Sequence, residues 1–332
     1  MSGFKVLFIG LQGLENWWEY HEIEYAGFFD GFDEVEHMNE ESKKIMNSRY
    51  RIFGSVQEAV ESFKPELAVI NVPNYTKNRI EYETYLLDKG ISLVEGKFRV
   101  SSYEDFRKIL MSAEKSTAIL FAGEFYRYNN CARTVKQQLK KGIIGKPQQL
   151  WWECFIAGSD ISPWEVQYRH LALEDLAYHH FGVIHYLLGL DTKTVYASSS
   201  SPLKGAPSTG TVSSTLIETR SGCLINHFID WHSLAKSTDF FGNFAIDGEL
   251  GGLLVDNGKV YLTLIGGSKE ELCLVDEGPK YTMSHVLAYL KDQNSQNEKP
   301  WTLKDFAPVM DTIDAAVRSA ESGNVIHLNE GG

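Results

Sequence analysis

Asp175 and His179 stand four residues apart in the stretch Leu171–Leu188, whose apolar spacing predicts a helix. At that spacing the two side chains share a face. A carboxylate one turn from an imidazole can orient the ring and stabilise its protonated form, which suits a general acid/base. The same pair could serve as two ligands of a divalent metal, completed by His227 or His232 on or just beyond the strand expected at Cys223–Trp231. A third reading is a structural ion pair. His180 and His185 share the helix but lie on other faces, where packing or hydrogen bonding is expected. Lys97, two residues beyond the expected strand Ile91–Glu95, could hydrogen-bond a substrate hydroxyl and help move its proton, or it could be a solvated loop lysine.

A second group lies near the start of the chain. The turn Gly10-Leu11-Gln12-Gly13-Leu14-Glu15 follows the first expected strand, Lys5–Ile9. A dinucleotide fingerprint here would bring backbone amides and a helix N-terminus to a pyrophosphate. Gly10 can supply the tight turn and Gly13 the close approach. Gln12 and Glu15 stand where the pattern prefers glycine, and a plain strand-to-helix turn is the other reading. Asp30 follows the second expected strand, about twenty residues after Gly10. A carboxylate there can accept both ribose hydroxyls and repel a 2′-phosphate, which favours NAD over NADP.

The elements that would position these groups alternate over the first 120 residues. Strands are expected at Lys5–Ile9, Glu24–Phe29, Tyr50–Phe53, Leu67–Asn71, Ile91–Glu95 and Ala118–Ala122. Helices are expected at Leu14–His21, Val56–Phe63 (capped by Ser55), Thr76–Leu87 and Ser102–Ala113. That alternation gives parallel βαβ units and a doubly wound sheet. After a helix at Asn130–Lys141, strands dominate from residue 148, many alternating apolar and polar and joined by glycine turns, as in an antiparallel sheet. The fold class is therefore α/β: an N-terminal Rossmann-type parallel sheet plus a C-terminal α+β domain with a large, mainly antiparallel open sheet. The helix Leu171–Leu188 interrupts the second part, and helices near Ser284–Lys291 and Asp305–Ser322 close it.

Composition narrows the function. The 332 residues carry 32 Lys+Arg against 44 Asp+Glu, a net charge of −12, which argues against a nucleic-acid or anionic-membrane partner. The Lys136, Lys140, Lys141 and Lys146 patch reads as a solvated helix face. No apolar run approaches the ~20 residues that span a bilayer, and the N-terminus reads as a strand rather than a signal peptide. Four isolated cysteines suggest reduced, mostly buried thiols, so a cytoplasmic protein is expected. Trp151, Trp152 and Trp164 are expected in a core or a subunit interface.

Together these features resemble the Gfo/Idh/MocA oxidoreductases, the glucose–fructose oxidoreductase and inositol dehydrogenase family. KVLFIGLQG resembles its first strand and glycine turn, Asn71-Val72-Pro73-Asn74 the segment after its fourth strand, and Gly90–Glu95 the lead-in to its Glu-Lys-Pro motif. Glu124–Tyr128 and Gly142–Pro147 resemble the segments that open its second domain. Leu173–His179 resembles its Asp-x-Gly-x-His helix and Asp314–Gly323 its closing helix. The resemblance implies a Rossmann domain over residues 1–122 and a substrate and oligomerisation domain over 123–332. It implies NAD- or NADP-dependent oxidation or reduction of a secondary alcohol on a sugar, cyclitol or related polyol, and a homodimer or homotetramer through the C-terminal sheet. It assigns Gly10, Leu11, Gln12, Gly13, Leu14, Asp30, Asn71, Val72, Pro73 and Glu95 to the cofactor. Arg127 and Tyr128 go to the substrate, and Asp175, His179 and Lys97 to catalysis, with no metal. In this chain Gly96 stands where the family's catalytic lysine would be, with Lys97 one position later, and Ala177 replaces the helix glycine. The alternative is a member that binds a dinucleotide or sugar without efficient turnover, as a sensor or partner subunit.

Overall fold

The computed structural model describes residues 3–10, 23–29, 51–72, 78–95, 103–158, 165–201, 210–276, 278–279, 281–293 and 298–329. The chain divides into two compact units: residues 1–124 with 279–306, and 125–278 with 307–332. The expected helix at Leu14–His21 lies outside the described residues.

The first unit is built on six parallel strands: β1 (Phe4–Ile9), β2 (Ile23–Phe29), β3 (Arg51–Ile52), β4 (Leu67–Ile70), β5 (Ser92–Glu95) and β6 (Leu120–Phe121). Their order is β3-β2-β1-β4-β5-β6. The chain crosses from one side of β1 to the other between β3 and β4, so the carboxyl ends of β1 and β4 form the topological switch point where such sheets hold ligands. All four residues of β4 are buried, as expected of a strand covered on both faces. Helix α1 (Val56–Phe63) starts where the sequence places it, because the Ser55 hydroxyl accepts the Glu58 N–H at 3.0 Å and the Glu58 carboxylate accepts the Gly54 N–H at 2.9 Å. Helices α2 (Arg79–Asp88) and α3 (Tyr103–Lys115) follow.

Residues 279–306 belong to this unit, although they follow the second domain in sequence. They carry a further helix, Thr282–Lys291. Its Met283, Val286 and Leu287 join Val6, Phe8, Phe28, Val69, Val94 and Phe121 in one apolar core. The spacing i, i+3, i+4 puts those three on one helical stripe. Ala122 N–H donates to the Trp301 carbonyl at 2.9 Å, tying the returning segment to the end of β6.

The second unit opens with α4 (Asn130–Lys140), capped by the Asn129 side chain on the Cys131 N–H at 2.8 Å. Its sheet comprises β7 (Pro147–Ala157), β8 (Thr192–Ser200), β9 (Val212–Thr219), β10 (Leu224–Ser233), β11 (Asn243–Gly248), β12 (Gly251–Asp256), β13 (Lys259–Leu264), β14 (Glu270–Leu272) and β15 (Ile326–His327). The order is β14-β13-β12-β11-β7-β10-β9-β8-β15. All pairings are antiparallel except the central one, β7 with β10, which is parallel. Residue alternation reports which face is buried and is silent about strand direction, so that exception is not legible locally.

Helix α5 (Ala177–Leu188) is buried along most of its length. The Thr282–Lys291 helix described above is α6, and α7 (Leu303–Ser322) contains the unit boundary after Phe306. From residue 307 onward, α7 packs beside β8: Thr312 and Thr192 hydroxyls lie 2.7 Å apart, and Ser319 Oγ accepts the Ala197 N–H at 2.9 Å. On one face of the sheet a registered row runs from Tyr196 through Leu216, Asn226, Trp151 and Ala245 to Leu254. Tyr196 and Leu216 are exposed there. No described helix is long and apolar enough to cross a membrane.

Candidate functional site

In the first unit, the described residues assigned to a cofactor gather at one sheet edge. Ile9 is in register with Phe29 and Ile70, and Ile70 with Glu95, so Gly10, Asn71 and Glu95 share the carboxyl end of the sheet. Gly10 has φ +73° and donates its N–H to Phe29 O at 2.9 Å. A β-carbon there would collide with the Asn71 carbonyl and come within 2.7 Å of Val72 Cγ1, so only glycine lets β1 pass this close to the β4 exit. Leu11, Gln12, Gly13, Leu14, Asp30, Pro73 and Lys97 lie outside the described residues.

Glu95 is fully buried. Its Oε2 accepts a hydrogen bond from Arg79, which also bonds Glu83 Oε1 at 2.6 Å. One guanidinium thus serves two buried carboxylates. Burial pushes the Glu95 carboxyl well above the usual carboxylate range, with Arg79 opposing and Glu83 adding to the rise. Burial raises Glu83 too, again against Arg79. Glu95 Oε1 is buried with no hydrogen-bond partner among the described residues. Arg79 and Glu83 were not picked out as site residues from sequence; their i, i+4 spacing on α2 was the only signal, and it is a common one.

In the second unit, the segment expected to be plain helix begins as a π-turn, Ala172–Leu176, in which the Ala177 N–H reaches Ala172 O. It passes into α5 at Ala177. Such insertions sit at functional sites far more often than their rarity would suggest. The start of the segment is pinned: Glu174 accepts the His170 N–H at 2.8 Å, and Ala172 donates to Gly210 O at 3.1 Å. Gly210 has φ +57°, and a β-carbon there would stand 2.7 Å from His170 Cα. Burial lowers the His170 imidazole below its usual value.

Asp175 and His179 are both buried, at 3% and 5% exposure. Tyr168 Oη donates to Asp175 Oδ1 at 3.2 Å. The His179 ring stacks on Tyr126 with centroids 4.3 Å apart and planes 13° from parallel, and Phe125 meets its edge at 5.3 Å. The carboxylate therefore has a hydrogen-bond donor and the imidazole a fixed plane, which is what an acid/base pair requires of its surroundings. Phe125, Tyr126 and Tyr168 escaped sequence reasoning. Tyr126 could have been found as the aromatic beside Arg127; nothing local points to Tyr168.

Arg127 and Tyr128 follow Tyr126 in a short 3-10 turn, and both are buried. Arg127 donates to Tyr128 Oη at 2.6 Å and lies over its ring at 4.6 Å, with Arg133 over the same ring at 5.4 Å. His180 has hydrogen bonds of its own: its Nε2 is 2.9 Å from Phe240 O and its Nδ1 is 2.9 Å from His227 Nε2. A carbonyl only accepts, so His180 carries its proton on Nε2 and His227 donates to it. Burial first, and His180 second, hold His227 well below the usual imidazole value. His185 accepts the Leu190 N–H at 3.0 Å, closing the end of α5. His232 Nε2 lies 3.2 Å from Glu165 Oε2. The two histidines that a metal reading would recruit are thus engaged elsewhere, and no group of three His, Cys, Asp or Glu among the described residues could hold a metal ion. Trp152 is core, stacked between His180 and Phe244; Trp164 lies outside the described residues.

Residues 132–254 match the model of the GFO/IDH/MocA C-terminal domain. Among proteins of curated function, none matches the chain by sequence. Solved structures match over nearly the whole chain. An oxidoreductase from Agrobacterium radiobacter, solved with NAD+, L-tartaric acid and magnesium, is 16% identical with a TM-score of 0.83, covering 98% of each chain. The WlbA dehydrogenase from Bordetella pertussis, solved with NADH and UDP-GlcNAcA, is 16% identical with a TM-score of 0.77, covering 99% of each. The aldose-aldose oxidoreductase from Caulobacter crescentus, solved with glycerol, is 15% identical with a TM-score of 0.79, covering 98% of this chain and 100% of that one. Residues 132–254 of the second unit thus match the Gfo/Idh/MocA C-terminal domain, and the whole chain has the fold of these solved oxidoreductases, as the motifs lead one to expect.

Proposed function

We propose that this chain is an NAD- or NADP-dependent oxidoreductase acting on a secondary alcohol or ketone of a sugar, cyclitol or related polyol. The observation that carries the reading is the buried Asp175–His179 segment, with Tyr168 on the carboxylate and Tyr126 against the imidazole. The first unit fits a dinucleotide: Gly10 lets the chain turn tightly against Asn71 at the switch point, and Glu95 brings a buried oxygen without a partner among the described residues to the same edge. Gly10, Asn71, Val72 and Glu95 would hold it, together with Leu11, Gln12, Gly13, Leu14, Asp30 and Pro73; Asp30 favours NAD. When bound, the nicotinamide supplies hydride acceptance or donation.

The chain's own part is proton handling and placement. His179 takes the hydroxyl proton on an imidazole nitrogen in the oxidation direction and returns it in reduction, while Asp175 orients the ring. Lys97 would hydrogen-bond a substrate hydroxyl, and Arg127 and Tyr128 would place the polyol. Related folds solved with NAD+, with NADH and a UDP-sugar, and with glycerol support the reading.

Calorimetric titration with NAD+ and NADP+, followed by turnover on a polyol and sugar panel, tests it. His179→Ala is expected to lower kcat by about 10²–10⁴-fold while leaving dinucleotide affinity intact, and Asp175→Asn to lower it in the same direction. A substrate oxidised by His179→Ala at the parent rate would sink the assignment. Normal NAD+ binding with no turnover across the panel would point to the sensor or partner-subunit alternative. The homo-oligomer proposed with this function would cover the exposed Tyr196–Leu216 row; Leu216→Asp is then expected to give a smaller species in sedimentation.

A further inference from the structure

The second unit holds another buried carboxylate–imidazole pair, apart from Asp175 and His179. Glu165 opens the short turn Glu165–Gln167, and its side chain and that of His232 are 5% and 6% exposed. Glu165 Oε1 accepts the Trp231 indole N–H at 3.0 Å, and Oε2 lies 3.2 Å from His232 Nε2. A carboxylate only accepts, so His232 carries its proton on Nε2 and presents a lone pair at Nδ1. That Nδ1 is buried and has no hydrogen-bond partner among the described residues. A donor at Nδ1 would find no acceptor among the described residues.

Gly158 lies against this nitrogen: a β-carbon there would stand 3.1 Å from His232 Nδ1. His232 itself is a bulge residue with φ +98°, where the β10–β7 register slips between Trp231 and Ser233. Surrounding contacts must hold a non-glycine residue in that conformation. The dyad is also joined to the acid/base segment. Tyr168, whose N–H donates to Glu165 O at 3.1 Å, is the residue whose hydroxyl bonds Asp175.

We propose that Glu165 and His232 form a ligand-binding dyad in which His232 Nδ1 accepts a hydrogen bond from a hydroxyl of a polyhydroxylated ligand. Only the ligand's class rests on the function proposed above. A hydroxyl fits because Nδ1 is a neutral acceptor, and the adjacent Glu165 carboxylate disfavours an anion.

The test uses the full chain with 15N-labelled histidine, read by long-range 1H–15N NMR, with His232→Asn identifying the resonance. The free protein is expected to show His232 protonated on Nε2 and bare on Nδ1. Xylitol, myo-inositol, D-glucose, N-acetylglucosamine and UDP-N-acetylglucosamine are then titrated. At least one is expected to shift Nδ1 in the sense of an accepted hydrogen bond, and Gly158→Ala to raise that compound's Kd about tenfold by crowding the nitrogen. A proton on Nδ1 in the free protein overturns the proposal. So does a compound that binds without moving Nδ1, an unchanged Kd in Gly158→Ala, or no binding by any of the five. NAD+ calorimetry separates the two readings, since failure to bind NAD+ removes the oxidoreductase assignment while the dyad, read without turnover, stands.

Discussion

Glu95 shows what a single buried group contributes. Its carboxyl is raised by burial beyond what Arg79 can offset, so the native state keeps a proton that the unfolded chain releases above the ordinary carboxylate value of about 4.3. The native state then binds more protons than the unfolded one, and stability falls as pH rises through the window from that value to the raised one. Glu95→Gln, neutral throughout, is expected to flatten this slope in urea unfolding at about pH 5 and about pH 8. A slope as steep as the parent's would show that Glu95 is not the group responsible. The four-residue spacing of Asp175 and His179 was legible because it is read directly from the sequence. Tyr168 and Glu165 were not, because their bonds to Asp175, Trp231 and His232 are made by folding rather than by spacing.

The helix starts at Val56 and Asn130 were readable, because capping chemistry is local, whereas those expected at Thr76, Ser284 and Asp305 fall at Arg79, Thr282 and Leu303. Ser55 and Glu58 sit three apart: the Ser55 hydroxyl accepts the Glu58 N–H, and the Glu58 carboxylate reaches one residue past the cap to the Gly54 N–H. Ser55→Ala is expected to cost about 1 kcal/mol of stability, read as a lower denaturation midpoint with unchanged m-value. A change below a few tenths would mean the cap contributes nothing. Helix interiors were less readable. Apolar periodicity averages over several turns and cannot register the single wider turn at Ala172–Leu176. The parallel β7–β10 pairing escaped for a related reason, since alternation is the same for either strand direction.

For the whole chain, the domain division is the main departure from linear reading. A boundary near residue 122 was expected, and the first unit does end its continuous stretch at Glu124. Residues 279–306 nevertheless return to it, and α6 buries Met283, Val286 and Leu287 on its sheet. Burying three such side chains is worth roughly 5–9 kcal/mol, a sum comparable to the stability of an entire domain. A fragment of residues 1–124 is therefore expected to lack a cooperative thermal transition and to bind a hydrophobic dye, while the same fragment fused through a flexible linker to 279–306 recovers cooperative unfolding. Cooperative unfolding of the short fragment would show that α6 is dispensable. The sequence by itself determined the alternation of elements, the Ser55 cap, the glycine turn after β1 and the four-residue spacing of Asp175 and His179, because each depends on neighbours within a few residues. Only the tertiary structure decided that Arg79 reaches Glu95 as well as Glu83 on its own helix, that Tyr126 braces His179, that Glu165 holds His232, and that α6 covers the first sheet. Those contacts join segments far apart in the chain, and chain connectivity carries no information about which of many compatible surfaces will meet.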